Sequence, residues 1–112
     1  MAQRTTSVSG SWRFDIATST LSASASFRAL HGIAPSAPFG LVEFLDVLHP
    51  EDRPEHRLAI DRAVKETGRF DAVYRVYWPD GSVHRIHALG SVSPADADRS
   101  PQIIGVAVEL SD

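Results

Sequence analysis

The sequence predicts an α+β domain, an antiparallel sheet covered on one face by two short helices and one longer one. Three observations carry this. Segments that alternate apolar and polar residues stand at both ends of the chain. Apolar stripes at helical spacing fill the middle. Turn signals join consecutive strands, as antiparallel hairpins require. The element order is β-β-α-α-α-β-β-β, which separates strands from helices along the chain.

The elements follow in order. Residues 1–9, rich in Thr and Ser, read as a flexible arm, and residues 10–112 as one domain. Residues 11–16 place Trp12, Phe14 and Ile16 on one face and Ser11, Arg13 and Asp15 on the other, a half-buried strand. Residues 17–20 form a turn into a short strand over 21–23. Residues 24–31 predict a short helix with Phe27 and Leu30 on one face, ended by Gly32 in the left-handed conformation that suits a helix C-terminus. A loop with Pro35, Pro38 and Gly40 follows. Leu41, Phe44, Leu45 and Leu48 then recur at i, i+3, i+4, i+7, a second amphipathic helix.

His49-Pro50 breaks that helix. The long helix is expected from Asp52 to about Thr67, stopping at Gly68. Asp52 has the chemistry of an N-cap, and Glu55 three residues on completes a capping-box spacing. Pro54 falls in the first turn, where its missing N–H costs little. His56, Ala59, Ile60, Ala63, Val64 and Thr67 share the apolar face, and Leu58 falls on the polar side. Residues 70–78 alternate again, with Phe70, Ala72, Tyr74, Val76 and Trp78 to one side. Pro79-Asp80-Gly81-Ser82 turns the chain into a return strand over 82–92. A polar loop spans 93–101, and residues 102–110 form a last, strongly β-prone strand.

Composition narrows the function classes. The chain has 112 residues and 43% hydrophobic content, enough for one domain with one modest core. It has no cysteine, which excludes disulfides, thiolate nucleophiles, iron–sulfur clusters and any thiol-attached cofactor. The net charge is -3 with no basic run, so no nucleic-acid footprint is expected. The longest apolar run, residues 103–108, is too short to span a bilayer, and residues 1–9 are polar, without the apolar h-region of a signal peptide. A cytoplasmic protein without membrane insertion is expected.

Four segments, in order and with the right spacing, resemble a PAS domain, the sensory module of bacterial signalling proteins. Gly10-Ser11-Trp12-Arg13-Phe14-Asp15 is similar to the G-x-W-x-x-D opening of its first strand. His49-Pro50-Glu51-Asp52-Arg53 is similar to the H-P-x-D-R start of its long helix. The stretch from Tyr74-Arg75 to Asp80-Gly81-Ser82 is similar to its Y-R-x-x-x-x-D-G-S hairpin, and the segment from Gly105 to Glu109-Leu110-Ser111 to its G-x-x-x-D-I-T ending. The resemblance covers roughly residues 10–111. It implies a five-stranded antiparallel sheet of order 2-1-5-4-3 and a pocket between the sheet and the helices. It also implies homodimerisation and a signal passed through the termini to an effector, such as a histidine kinase or diguanylate cyclase, in a parent protein. Two positions depart from the pattern. The strand reads Val83-His84-Arg85-Ile86-His87 where the family often carries Trp, and Glu109-Leu110-Ser111 softens the usual ending.

No catalytic motif is present: there is no G-x-S-x-G elbow, phosphate loop or H-E-x-x-H pair. The domain is therefore read as a ligand-binding or dimerising sensor in a two-component type of pathway, not an enzyme. The pocket candidates are Trp12, Phe14, Phe27, Leu30, Phe39, Phe44, Leu45, His56, Ile60, Val64, Tyr74, Val76 and Ile86. No metal ligand set is expected. Among the histidines, His84 and His87 point to opposite faces of a strand and cannot share a metal. His31 reads as a cation at a helix end, and His49 as turn chemistry. His56 stands out because it sits on an apolar helix face. In haem-binding PAS sensors the proximal iron ligand lies on this helix, so the resemblance makes His56 the candidate axial ligand of a haem-based sensor. Ala72 falls where such sensors carry a distal arginine. Cysteinyl-flavin chemistry is excluded for want of a cysteine, whereas a non-covalent flavin stays open, although its amide readers are scarce and the chain has no Asn. No cofactor is the default, and a small standalone cavity enzyme is the remaining alternative.

Overall fold

The computed structural model describes residues 8–111. Most of the expected arm lies outside them, and Ser9 already belongs to the first strand. Five strands, β1 (Ser9–Asp15), β2 (Thr20–Ala23), β3 (Arg69–Tyr77), β4 (Val83–Ser93) and β5 (Gln102–Leu110), form one antiparallel sheet of order β2-β1-β5-β4-β3. This is the expected order. The helices α1 (Ala25–Leu30), α2 (Leu41–Val47) and α3 (Arg53–Arg62) connect β2 to β3. Among the described residues no helix is long and apolar enough to cross a membrane.

The period of two decides which residues face the helices. Trp12, Phe14, Leu21, Phe70, Tyr74, Val76, Ile86, Ala88, Ile103 and Ala107 point to one side, and nearly all are buried. Phe27, Leu30, Phe44 and Leu48 close over them from α1, α2 and the end of α2. Two glycines make room for the largest of these side chains. A Cβ on Gly105 would lie 2.7 Å from the Trp12 ring, and one on Gly90 would lie 2.9 Å from it. The pair, opposite each other across β4 and β5, is a flat shelf for the indole.

Three local expectations are corrected. The long helix is not one helix. A 3₁₀ turn over Pro50–Asp52 leads into α3, and a π-helical turn over Ala63–Thr67 follows it, ended by Gly68 at φ 72°. The wider π turn places Ala63 in the core while Val64 is 40% exposed. Asp52 is not a side-chain cap either. It already has helical backbone angles, and its carboxylate accepts instead from the Arg75 backbone N–H at 2.8 Å and from Arg75 Nε and Nη2 at 3.0 and 2.7 Å. The cap at this corner is His49, whose Nδ1 accepts from the Glu51 N–H at 3.1 Å. Finally, His31 is no solvated cation at a helix end. It is fully buried.

Candidate functional site

A cavity of about 540 Å³ opens between the inner face of the sheet and the helices. Trp12 and Phe14 reach it from β1, Phe70 and Tyr74 from β3, and Phe27 from α1. Phe44 and Leu45 reach it from α2, and His56 and Ile60 from α3. Val64 lines it from the π-helical turn. Four other pocket candidates, Leu30, Phe39, Val76 and Ile86, do not line it. Val76 and Ile86 are wholly buried in the sheet, Leu30 is buried under α1, and Phe39 packs edge-on against Phe27. Leu21, Leu41, Phe70 and Ala88 line the cavity although they were not among the candidates. Phe70 was legible, since it belongs to the inward set of its strand.

The two polar tips on the aromatic wall are spent within the protein. Trp12 Nε1–H donates to the Val106 carbonyl at 3.1 Å. Tyr74 Oη lies 2.8 Å from His31 Nε2, and His31 Nδ1 lies 2.7 Å from the Phe27 carbonyl. A carbonyl only accepts, so Nδ1 carries the proton, and the neutral ring takes the Tyr74 O–H at Nε2. Burial pushes the His31 imidazole down to about 4, against which the Phe27 carbonyl acts, while nearby His56 lowers it further. Burial likewise raises the Tyr74 phenol, so it stays protonated.

His56 has a different environment. Its ring is wedged among Phe44, Phe70 and Tyr74 at centroid separations of 5.1, 5.4 and 5.4 Å. Burial pushes it down to about 4, so it is neutral at pH 7. Among the described residues its ring nitrogens make no hydrogen bond. It also borders a second, smaller cleft of about 170 Å³, where Ala72 lies.

The cavity mouth carries charge. Arg53, Arg57 and Asp61, spaced four apart along α3 and its end, border it with Ser19. The other histidines lie outside. His84 stacks on Trp78 at 3.7 Å and pairs with Glu109 at 2.6 Å on the inner side of β4. His87 pairs with Asp71 at 2.9 Å on the outer side. No group of three His, Cys, Asp or Glu residues capable of holding a metal occurs among the described residues.

This architecture, five antiparallel strands in the order 2-1-5-4-3 with a cavity under the intervening helices, is a known one. The PAS fold model matches residues 20–107, and the chain belongs to that family. Among solved structures it is similar to a sensory box histidine kinase/response regulator from Burkholderia thailandensis. That match has 22% identity and a TM-score of 0.74, covering 93% of this chain and 78% of that one. An RNA-binding light-oxygen-voltage receptor matches at 21% identity and TM-score 0.76, over 93% of this chain and 30% of that chain. The N-terminal domain of a diguanylate cyclase with PAS/PAC sensor from Marinobacter aquaeolei matches at 21% identity and TM-score 0.69, over 91% of this chain and 94% of that chain. No curated protein sequence matches this chain.

Proposed function

We propose that this domain is a non-catalytic sensor that takes a small, largely apolar ligand into its cavity and passes the event to an effector domain of a larger protein. The observation that carries the reading is the cavity itself. Six aromatic side chains surround it, and its volume is that of an ordinary small-molecule site. A filled core of this size would leave no such space. The ligand shifts the domain only as far as it binds one state better than another. Trp12 supplies a physical link, since it lines the cavity and is tied through its N–H to Val106 on the last strand. The effector is a histidine kinase or a diguanylate cyclase, in keeping with the solved relatives. The test is extraction of protein purified from its own host. A small molecule should be recovered from the wild type and be lost from Ile60→Trp, whose indole fills the space. Equal recovery from both sinks the reading.

A second copy of the chain is proposed to cover the outer face of the sheet. Val73, Tyr77, Val83, Leu89, Ile104 and Val106 all leave more than 40% of their surface to solvent there, an unusual concentration of apolar area for a free face.

A haem-based sensor is the second reading. One observation favours it: the neutral His56 imidazole has no hydrogen-bond partner and borders the cavity. Bound iron would be held by His56 and would supply gas or redox sensitivity. A Soret band after haem reconstitution that is lost in His56→Ala supports it, and the absence of a band rejects it. A cysteinyl-flavin does not fit, because the chain offers no thiol for the adduct.

A further inference from the structure

Resting on the reading of the cavity as a ligand site, we infer that its ligand is an aromatic carboxylate: a flat apolar body carrying one anionic group, held at the Arg53–Arg57 end of the mouth.

The body is set by the wall. Trp12, Phe14, Phe27, Phe44, Phe70 and Tyr74 line the cavity, and rings packed at edge-to-face angles, such as Trp12 on Phe70 at 77°, present faces and edges suited to a further ring. The polar tips of Trp12 and Tyr74 are already bonded to Val106 and His31. The deep part of the cavity therefore offers a ligand no hydrogen-bond donor from them, and a body rich in acceptor groups would lose its hydration there without replacement.

The head is set by α3. Arg53 and Arg57 are one helical turn apart and so share a face, and both border the cavity. Among the described residues neither guanidinium makes an ion pair or hydrogen bond. Asp61 is the single carboxylate bordering the same mouth. Arg53 lies eight residues from it, about 12 Å along a helix, so the Arg53 end is the positive one. This local excess of cation stands against a chain whose net charge is -3. His56 lies between the two arginines in sequence and borders the same cavity. It is the one imidazole there without a hydrogen-bond partner among the described residues, so its N–H is free for an anionic oxygen. Buried polar groups are ordinarily satisfied, and a ligand carboxylate would satisfy this one. Two guanidinium groups and an imidazole N–H also disfavour a cationic head.

Calorimetric titration with three probes of one shape separates the claims: 2-naphthoate, 2-naphthalenemethanol and 2-naphthylmethylamine. The carboxylate should bind about tenfold tighter than the alcohol, and the amine weakest. The double variant Arg53→Gln/Arg57→Gln should erase the preference, bringing the affinity for the carboxylate down to that for the alcohol. Asp61→Asn should widen the preference. Both arginines are exposed, so their replacement spares the core. Equal binding of carboxylate and alcohol, or a preference for the amine, overturns the anionic assignment and leaves the cavity as a ligand site. Failure of all three to bind at millimolar concentration overturns the cavity reading, and this inference with it.

Discussion

Tyr74 and His31, both buried, satisfy each other in the core. The phenol donates to Nε2, and Nδ1–H donates to the Phe27 carbonyl. Removing one partner leaves the other buried and unpaired, whereas removing both leaves apolar contact there and the Phe27 carbonyl still accepting the His31 backbone N–H. Tyr74→Phe should therefore destabilise the domain by about 1–3 kcal/mol. The double variant with His31→Phe should cost less than the sum of the two single changes, as a urea-unfolding double-mutant cycle would show. Additivity would mean that the bond contributes nothing. The same histidines set a pH dependence. His31 and His56 are both held near 4, below the ordinary value of 6.5. The unfolded chain then binds more protons than the native one between those limits. Stability is complete above about pH 6.5 and falls as the pH drops toward about 4. The urea midpoint should decline from pH 7.5 to pH 5, and less so in His56→Phe. A midpoint constant over that range contradicts the assignment. His56 could be singled out from the sequence because it falls on an apolar helical stripe. His31 could not. It follows the last residue of α1, where spacing says nothing of burial, and its partner Tyr74 lies 43 residues away.

At the scale of elements, local rules succeeded where the backbone decides and failed where a distant group intervened. The strands, the Gly32 and Gly68 helix ends and the α2 stripe all follow from local periodicity and backbone chemistry. The capping box failed because the Arg75 guanidinium and N–H, brought over by β3, claim the Asp52 carboxylate. Arg75 holds Asp52 below the usual carboxylate range, chiefly through the side-chain hydrogen bond. That contribution is present above about pH 4 and is lost as the pH falls further. Asp52→Asn should cost about 1–2 kcal/mol at pH 7 and remove the acid-side part of the pH profile, read by the same urea series. The glycine shelf makes a sharper demand. A Cβ on Gly105 would approach the Leu89 carbonyl oxygen to 2.0 Å as well as the Trp12 ring, and the backbone cannot yield as a side-chain tip can. Gly105→Ala should lower stability by about 3 kcal/mol or more and disturb the near-ultraviolet signal of Trp12. A variant of wild-type stability would mean that the indole does not rest on this strand. The motif reading placed Gly105 in the closing segment, but its packing role depends on β1 lying beside β5, which the resemblance implied and local periodicity does not display.

At the scale of the molecule, the two faces of the sheet differ in kind. The inner face is buried under helices apart from the cavity. The outer face has no covering element among the described residues, yet it is not polar. Leu89 on β4 stands directly opposite Val106 on β5, and Ile104 lies two residues further along the same side. These three make an unbroken apolar band at the sheet centre, all more than 40% exposed. Alternation alone made part of this visible, since Val73, Tyr77, Val83 and Leu89 fall out of phase with the core set. The convergence of Leu89 with Val106 required the β4–β5 register. If a second copy covers the band, a charge in its middle should separate the copies without unfolding either, because the position is open to solvent in the single chain. Leu89→Glu should shift the light-scattering mass at micromolar concentration from about twice 12.2 kDa to about 12.2 kDa, with the urea midpoint of the domain little changed. A wild type already at the single-chain mass would reject the pairing of two copies through this band. A Leu89→Glu variant still at the double mass would place the contact between copies elsewhere on the surface. Because Val106 also accepts the Trp12 N–H, a dimer formed here would sit one hydrogen bond from the cavity wall. Ligand binding and association would then be coupled: the aromatic carboxylate should change the dimer dissociation constant by the same factor that dimerisation changes its own affinity.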